Sequence, residues 1–229
     1  FDALPRLGGM LRYVIPVYRL PDDVLDKEIQ FILDLGVEAR TNTRVADPKS
    51  LLESGFNAVF IAPGAWVSRK LGIPGEDAPG VWAGLEFLRQ VNGGETPAIG
   101  PKVVVIGGGD VAMDAARCAL RLPGVSLVHL ACLESREEMP AHSWEAAEAL
   151  EEGVVFHNRL GPTRIENGAV TFRACTSVFD ENKKFNPRFD DSKTTVLKAD
   201  TVIVTIGQGI DSAQLGIATG PGGRIVADR

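Results

Sequence analysis

The sequence predicts an α/β fold of the doubly wound, dinucleotide-binding type. Three neighbouring features carry that prediction. Val103, Val104, Val105 and Ile106 form a short apolar run, mostly β-branched, of the kind that makes a strand buried on both faces. Gly107, Gly108 and Gly109 follow, with Ala112 three positions further on, in the spacing G-x-G-x-x-A. Val111, Ala112, Ala115, Ala116, Ala119 and Leu120 then recur with the period of a helix.

Each position in this turn answers a physical need. Gly107 lets the chain leave the strand in a tight turn, and Gly109, without a Cβ, lets a pyrophosphate approach the backbone. Ala112 is small enough for the helix to pack closely on the strand. The helix start, at Asp110 and Val111, offers unpaired N–H groups and the positive end of the helix dipole.

At 229 residues the chain holds one large domain or two small ones. Its 45% hydrophobic and 24% charged residues are those of a globular protein. The net charge of −6 argues against nucleic acid or an anionic membrane as partner. No apolar run is long enough for a membrane-spanning helix. Cys118, Cys132 and Cys175 lack CxxC spacing, which fits a reducing cytoplasm and gives no disulfide framework or iron–sulfur motif. His129, His142 and His157 make no ligand pattern and are read as structural or surface residues; no metal site is expected. Cys132 is read as a packing residue at a strand end.

In chain order, Phe1 to Ala3 read as the end of a strand, with Asp2 where a Rossmann fold binds a ribose hydroxyl. Residues 8–21, with prolines at 16 and 21, read as coil. Residues 22–35 form an amphipathic helix, its early aspartates near the positive end and Gly36 at its close. Short strands are expected at 37–40 and 58–62, a Gly- and Pro-rich connection at 68–82, and a short helix at 85–91. The stretch from Asn92 to Pro101 reads as a linker and domain boundary. Beyond the glycine turn come a strand at 126–131, a helix at 144–152 capped by Ser143, and a strand at 154–156. Residues 161–199 read as an antiparallel meander, with strands at 169–174 and 194–197 around a solvated polar loop at 180–192. A closing strand at 201–206 leads into Gly207-Gln208-Gly209, another glycine turn.

Several of these stretches together resemble one family. GGMLRYVIPVYRLPDDVL from Gly8, AVFIAPGAW from Ala58, IPGED from Ile73, VVVIGGGDVAMDAAR from Val103 and SREEMPA from Ser135 resemble the NAD(P)H:FAD oxidoreductase module of the glutamate synthase small subunit. The amino-terminal half of dihydropyrimidine dehydrogenase is similar. The resemblance implies two nested Rossmann-like domains: a truncated FAD-binding domain at 1–99 and 207–229, and an inserted nicotinamide-dinucleotide-binding domain at 100–206. It implies hydride transfer from nicotinamide to FAD, with electrons passed on to iron–sulfur centres or a redox partner subunit. No acid–base pair or nucleophile is then expected. The alternative is a dinucleotide-binding electron-transfer subunit or sensor without turnover.

On that map Gly107, Gly108, Gly109, Asp110, Val111, Ala112, Glu134, Arg136, Gly207 and Gln208 meet the nicotinamide dinucleotide. Asp2, Gly9, Leu11, Arg19 and Gly64 meet FAD in the parent protein. The family's first glycine-rich turn is placed ahead of Phe1 and its flavin-proximal motif beyond Arg229, so FAD is expected in the parent and not in this stretch, which alone should be inactive. NADP-using relatives carry an arginine pair where this chain has Leu133 and Glu134. A carboxylate there repels a 2′-phosphate and accepts from a 2′-hydroxyl, so NAD(H) is expected over NADP(H).

Overall fold

The parallel sheet forms around the run that the sequence marks as its centre. The computed structural model describes residues 1–211 together with Gly216, Gly220, Ile225 and Val226. It divides into two compact units, one of residues 1–67 and 208–229, the other of residues 68–207.

Among the described residues the first unit holds three helices, α1 (Gly9–Tyr13), α2 (Asp22–Leu33) and α3 (Lys49–Glu53). The five-residue α1 lies in the stretch expected to be coil. It is tied to α2 through Arg12, whose 5%-exposed side chain pairs with Asp22 at 3.2 Å and with Asp26. Two of the aspartates read as dipole partners thus also anchor a buried cation. The strands expected at 37–40 and 58–62 are coil. A strand needs a partner along its length to satisfy its backbone groups, and among the described residues neither segment pairs into a sheet. Val37 is exposed, and Phe60 is 93% exposed. Segments 1–4 and 40–43 do exchange backbone bonds, Asp2 N–H to Arg40 O at 2.8 Å and Thr43 N–H to Asp2 O at 2.8 Å, without becoming a strand pair.

The chain passes on through β1 (Val67–Ser68), which pairs with β10 (Gln208–Gly209) in a two-stranded ribbon. The second unit then contains β2 (Val81–Ala83), α4 (Gly84–Asn92), β3 (Lys102–Ile106), α5 (Asp110–Leu120), β4 (Leu127–Ala131), α6 (Ser143–Glu151), β5 (Val155–His157), β6 (Leu160–Glu166), β7 (Ala169–Phe179), β8 (Phe185–Lys198) and β9 (Thr201–Val204). Five of these strands make an all-parallel sheet in the order β2-β9-β3-β4-β5. The expected boundary at residue 99 therefore falls inside this unit. Val81 to Ala83 pair with Val202 to Val204, which carries β2 and α4 into the sheet. Of the stretch expected at 207–229, most lies outside the described residues.

Both faces of the sheet are covered. α5 packs on β3 and β4, with α4 and α6 beside it. Ala112, Ala115, Ala116 and Ala119 are fully buried, and their small side chains let the helix come close to the strands. Ser143 opens α6 without capping it: the N-cap position is His142 and no side chain caps there. On the opposite face lies the antiparallel meander β6-β7-β8. Val104, Ile106, Ala131, Val202 and Val204 from the sheet pack with Ile165, Val170, Phe172, Leu197 and Ala199 in one apolar core. The loop expected at 180–192 is mostly strand. β7 and β8 run to Phe179 and from Phe185, with register breaks at three points. Those bulges, and β8's place at the edge of its sheet, accommodate Pro187 and the two aspartates that made the stretch read as loop. Gly75 of the IPGED stretch lies tight against this meander: a Cβ there would sit 1.8 Å from the carbonyl of Ile165.

Candidate dinucleotide-binding site

β3 ends where the three glycines begin, at the carboxyl edge of the sheet, and each glycine meets different surroundings. Gly107 has φ +145°, and a Cβ would lie 2.4 Å from Thr205 Oγ1 and 2.6 Å from its carbonyl oxygen. Thr205 belongs there because both its N–H and its hydroxyl donate to Ile106 O at 2.8 Å. At Gly108 a Cβ would meet Glu134 Oε2 at 2.9 Å and Cys132 Cβ at 3.1 Å. Gly109, the N-cap of α5, is extended at φ −96° and ψ 177°. Its Cβ direction is open, the nearest atom being Pro140 Cγ at 4.0 Å. Gly107 is thus demanded by its protein neighbours and Gly108 is closely packed, while Gly109 leaves bare backbone beside a helix start. The first-turn amides of Asp110 and Val111 have no partner within α5, and they face outward with the positive end of its dipole.

The segment after β4 lies against this turn. Ala141 N–H donates to Gly108 O at 3.1 Å. The carboxylate of Asp110 accepts from His142 N–H at 2.8 Å and from its imidazole Nδ1 at 2.7 Å. Glu134, expected at the ribose end, has its carboxylate beside Gly108. Its carbonyl accepts from Arg159 N–H and Asn158 Nδ2, both at 3.1 Å. Arg136 lies two residues further on, its guanidinium 4.8 Å over the Phe156 ring and 3.7 Å from Met139 Sδ. Arg159 pairs with Glu138 at 2.8 Å. Cys132 is buried, and its thiol is pushed up to about 12, first by burial and then by the charge of Glu134. It is a packing residue, as its position at a strand end suggested.

The other expected positions divide between the units. Gly207, φ +114°, follows β9, and its carbonyl accepts from Arg69 N–H at 3.0 Å. Gln208 opens β10. Asp2, Gly9, Leu11, Arg19 and Gly64 belong to the first unit. There Asp2 spends one carboxylate oxygen on Leu4 N–H at 2.8 Å, Gly9 (φ +51°) opens α1 and Leu11 is exposed on it. Arg19 N–H is bound to Pro16 O at 2.9 Å, and a Cβ on Gly64 would strike Trp66 Nε1 at 2.9 Å. Thr205 and His142 were not singled out from the sequence. Each touches the glycine turn from far along the chain, and no local spacing marks them. Among the described residues no cluster of three or more His, Cys, Asp or Glu could hold a metal ion.

A parallel sheet with a glycine turn opening a helix at its carboxyl edge defines a Rossmann-type nucleotide domain. Residues 13–229 match the pyridine nucleotide-disulphide oxidoreductase family, and the chain belongs to it. It is 41% identical over its whole length to the NADP(+)-dependent formate dehydrogenase subunit beta of Moorella thermoacetica, of which it covers 34%. It is 39% identical, over 92% of its length, to the NADPH-Fe(3+) oxidoreductase subunit beta of Geobacter sulfurreducens, covering 33% of that protein. The glutamate synthase [NADPH] small chain of Escherichia coli is 38% identical over 75% of this chain and 39% of its own. The resemblance to the glutamate synthase small subunit thus holds, and the chain spans about a third of the length of the curated relatives it matches. Among solved structures, FprA from Mycobacterium tuberculosis shares the fold with a TM-score of 0.77 at 20% identity, over 99% of this chain and 69% of its own.

Proposed function

We propose that this chain is the NAD(P)H-binding module of a flavoprotein oxidoreductase that takes hydride from nicotinamide to FAD and passes electrons to iron–sulfur centres or a partner subunit. The observation that carries the reading is Gly109: bare, extended backbone with nothing in its Cβ direction, at the start of a buried helix, in a chain of the pyridine nucleotide-disulphide oxidoreductase family. When bound, nicotinamide and flavin supply the redox chemistry; the residues of the chain bind and orient them. Gly109, Asp110 and Val111 would hold the pyrophosphate on backbone amides, with Ala112 letting the helix approach. Glu134 and Arg136 would lie at the ribose end, and Gly207 and Gln208 beyond β9. FAD would meet Asp2, Gly9, Leu11, Arg19 and Gly64 of the first unit. The partner assignment draws on the names of two relatives, each a subunit beta, and the three free, buried cysteines fit a cytoplasmic setting. No helix among the described residues is long and apolar enough to cross a membrane.

The side chains at the ribose end favour NAD(H) through Glu134, whereas the names of three relatives point to NADP(H). Removing Glu134's repulsion and adding a phosphate-binding arginine should each shift the balance by about 1–3 kcal/mol, a tenfold change or so in relative affinity. The test is titration of the full-length protein with NADH and NADPH, before and after Leu133→Arg with Glu134→Arg, alongside NAD(P)H oxidation with an artificial acceptor. Wild type should favour NADH and the variant move toward NADPH. If wild type binds NADPH more tightly, the NAD reading falls. Binding without turnover would make the chain a sensor or carrier instead.

A further inference from the structure

We infer that His142 is a positioning residue for the dinucleotide site, holding the Asp110 carboxylate away from the phosphates; this rests on the function proposed above. The difficulty it resolves is electrostatic. Asp110 is the first residue of α5, immediately after Gly109. A carboxylate there is well placed for the helix dipole, yet it is an anion at the N-terminus where another anion is to bind, and the two would compete for the same amides. Asp110 is only 33% exposed, and both its oxygens are already taken. Oδ1 accepts from the backbone N–H of His142 at 2.8 Å and Oδ2 from its Nδ1 at 2.7 Å.

The holder is itself held. The His142 ring lies 4.3 Å from the Trp144 ring, centroid to centroid. The preceding residue is fixed to the glycine turn by Ala141 N–H to Gly108 O at 3.1 Å. The carboxylate is therefore drawn toward the start of α6, and the first-turn amides of α5 are left to the ligand. Without the imidazole, Oδ2 is free to rotate toward Gly109 and to repel a pyrophosphate at the same place.

Dissociation constants for NADH and NADPH, measured on the full-length protein as wild type, H142A, D110N and H142A/D110N, test this, with a melting curve for each. Like-charge repulsion at a few ångströms in a solvent-facing site makes H142A weaker by about fivefold for both dinucleotides. In the D110N background, where no charge remains to swing in, the same His142→Ala change should alter affinity by less than about twofold, so that H142A/D110N binds as D110N does. A merely structural tether predicts the opposite, with the double variant at least as weak as H142A. That result, or H142A binding as wild type does, overturns the inference. Should H142A fail to fold, D110N decides alone: a loss of tenfold or more would mean that the carboxylate serves the ligand. If wild type binds neither dinucleotide, the proposed function falls and takes this inference with it.

Discussion

Replacing Gly109 by alanine or valine separates binding from folding more cleanly than any other change in the glycine turn. At φ −96° and ψ 177° the backbone is one that any residue adopts, and the nearest atom to a new Cβ is Pro140 Cγ at 4.0 Å. The cost to the fold is that of exchanging an N-cap glycine, about 1 kcal/mol or less. The cost to the ligand is larger. On the proposed binding mode a Cβ at this point would stand in the path of the pyrophosphate to the amides, and each charged hydrogen bond lost is worth about 1.5–3 kcal/mol. One such loss weakens binding roughly 10- to 150-fold. Calorimetric titration with NADH and NADPH reads the affinity and thermal denaturation reads the fold. Gly107→Ala is the contrast, because its φ of +145° and the Thr205 oxygens at 2.4 and 2.6 Å make it a folding defect first. Equal affinity in Gly109→Val and wild type would refute the reasoning and remove the turn from the binding site.

Three further predictions concern groups of the second unit. Arg117, 5% exposed, bonds Glu145 at 3.2 Å, Glu148 at 2.7 Å and Glu152 at 2.8 Å. Arg117→Leu removes the cation bonded to the buried Glu145 and should cost about 3–5 kcal/mol in urea denaturation, with much of it recovered in Arg117→Leu/Glu145→Leu. In the same cluster, hydrogen bonds from Arg121 and then Arg117 hold the Glu152 carboxyl at about 2, against an ordinary 4.5. Its stabilising contribution is present above pH 4.5 and lost as pH falls toward 2, so Arg121→Ala should flatten the acid limb of a stability–pH curve over that window. Cys132, its thiol at about 12, should react with iodoacetamide far more slowly than an exposed cysteine at pH 8, as mass spectrometry of the labelled native protein would read.

What the sequence made legible was local. The strand, turn and helix from Lys102 to Leu120 lie within one short segment, where β-branched run, glycine spacing and alanine stripe all agree. Elements set by distant partners were less visible. Val81 to Ala83 form a strand because Val202 to Val204 lie alongside, and nothing around residue 81 announces that. The outer arm of β8 is mostly exposed and its pairing with β7 is bulged, so its alternation is broken where it would be read. Residues 37–40 and 58–62 erred the other way: their composition suits a strand, but composition supplies no partner. In the site itself Gly107 to Ala112 were readable from spacing, whereas His142 reaches Asp110 across 32 residues.

The place of β9 has a consequence for the order in which the molecule can be made. It lies between β2 and β3 in the sheet, yet it is the last strand of its unit to leave the ribosome. Until it arrives, β3 has one open edge and β2 has no partner in the sheet, so apolar strand edges wait uncovered through the translation of all the chain between them and β9. Such long-range pairing slows folding and leaves the nascent chain open to association. The glycine turn waits as well, since Gly107 is wedged by Thr205, the residue just past β9. A ribosome stalled before residue 200 should therefore display a chain with its helices largely formed and no affinity for a dinucleotide.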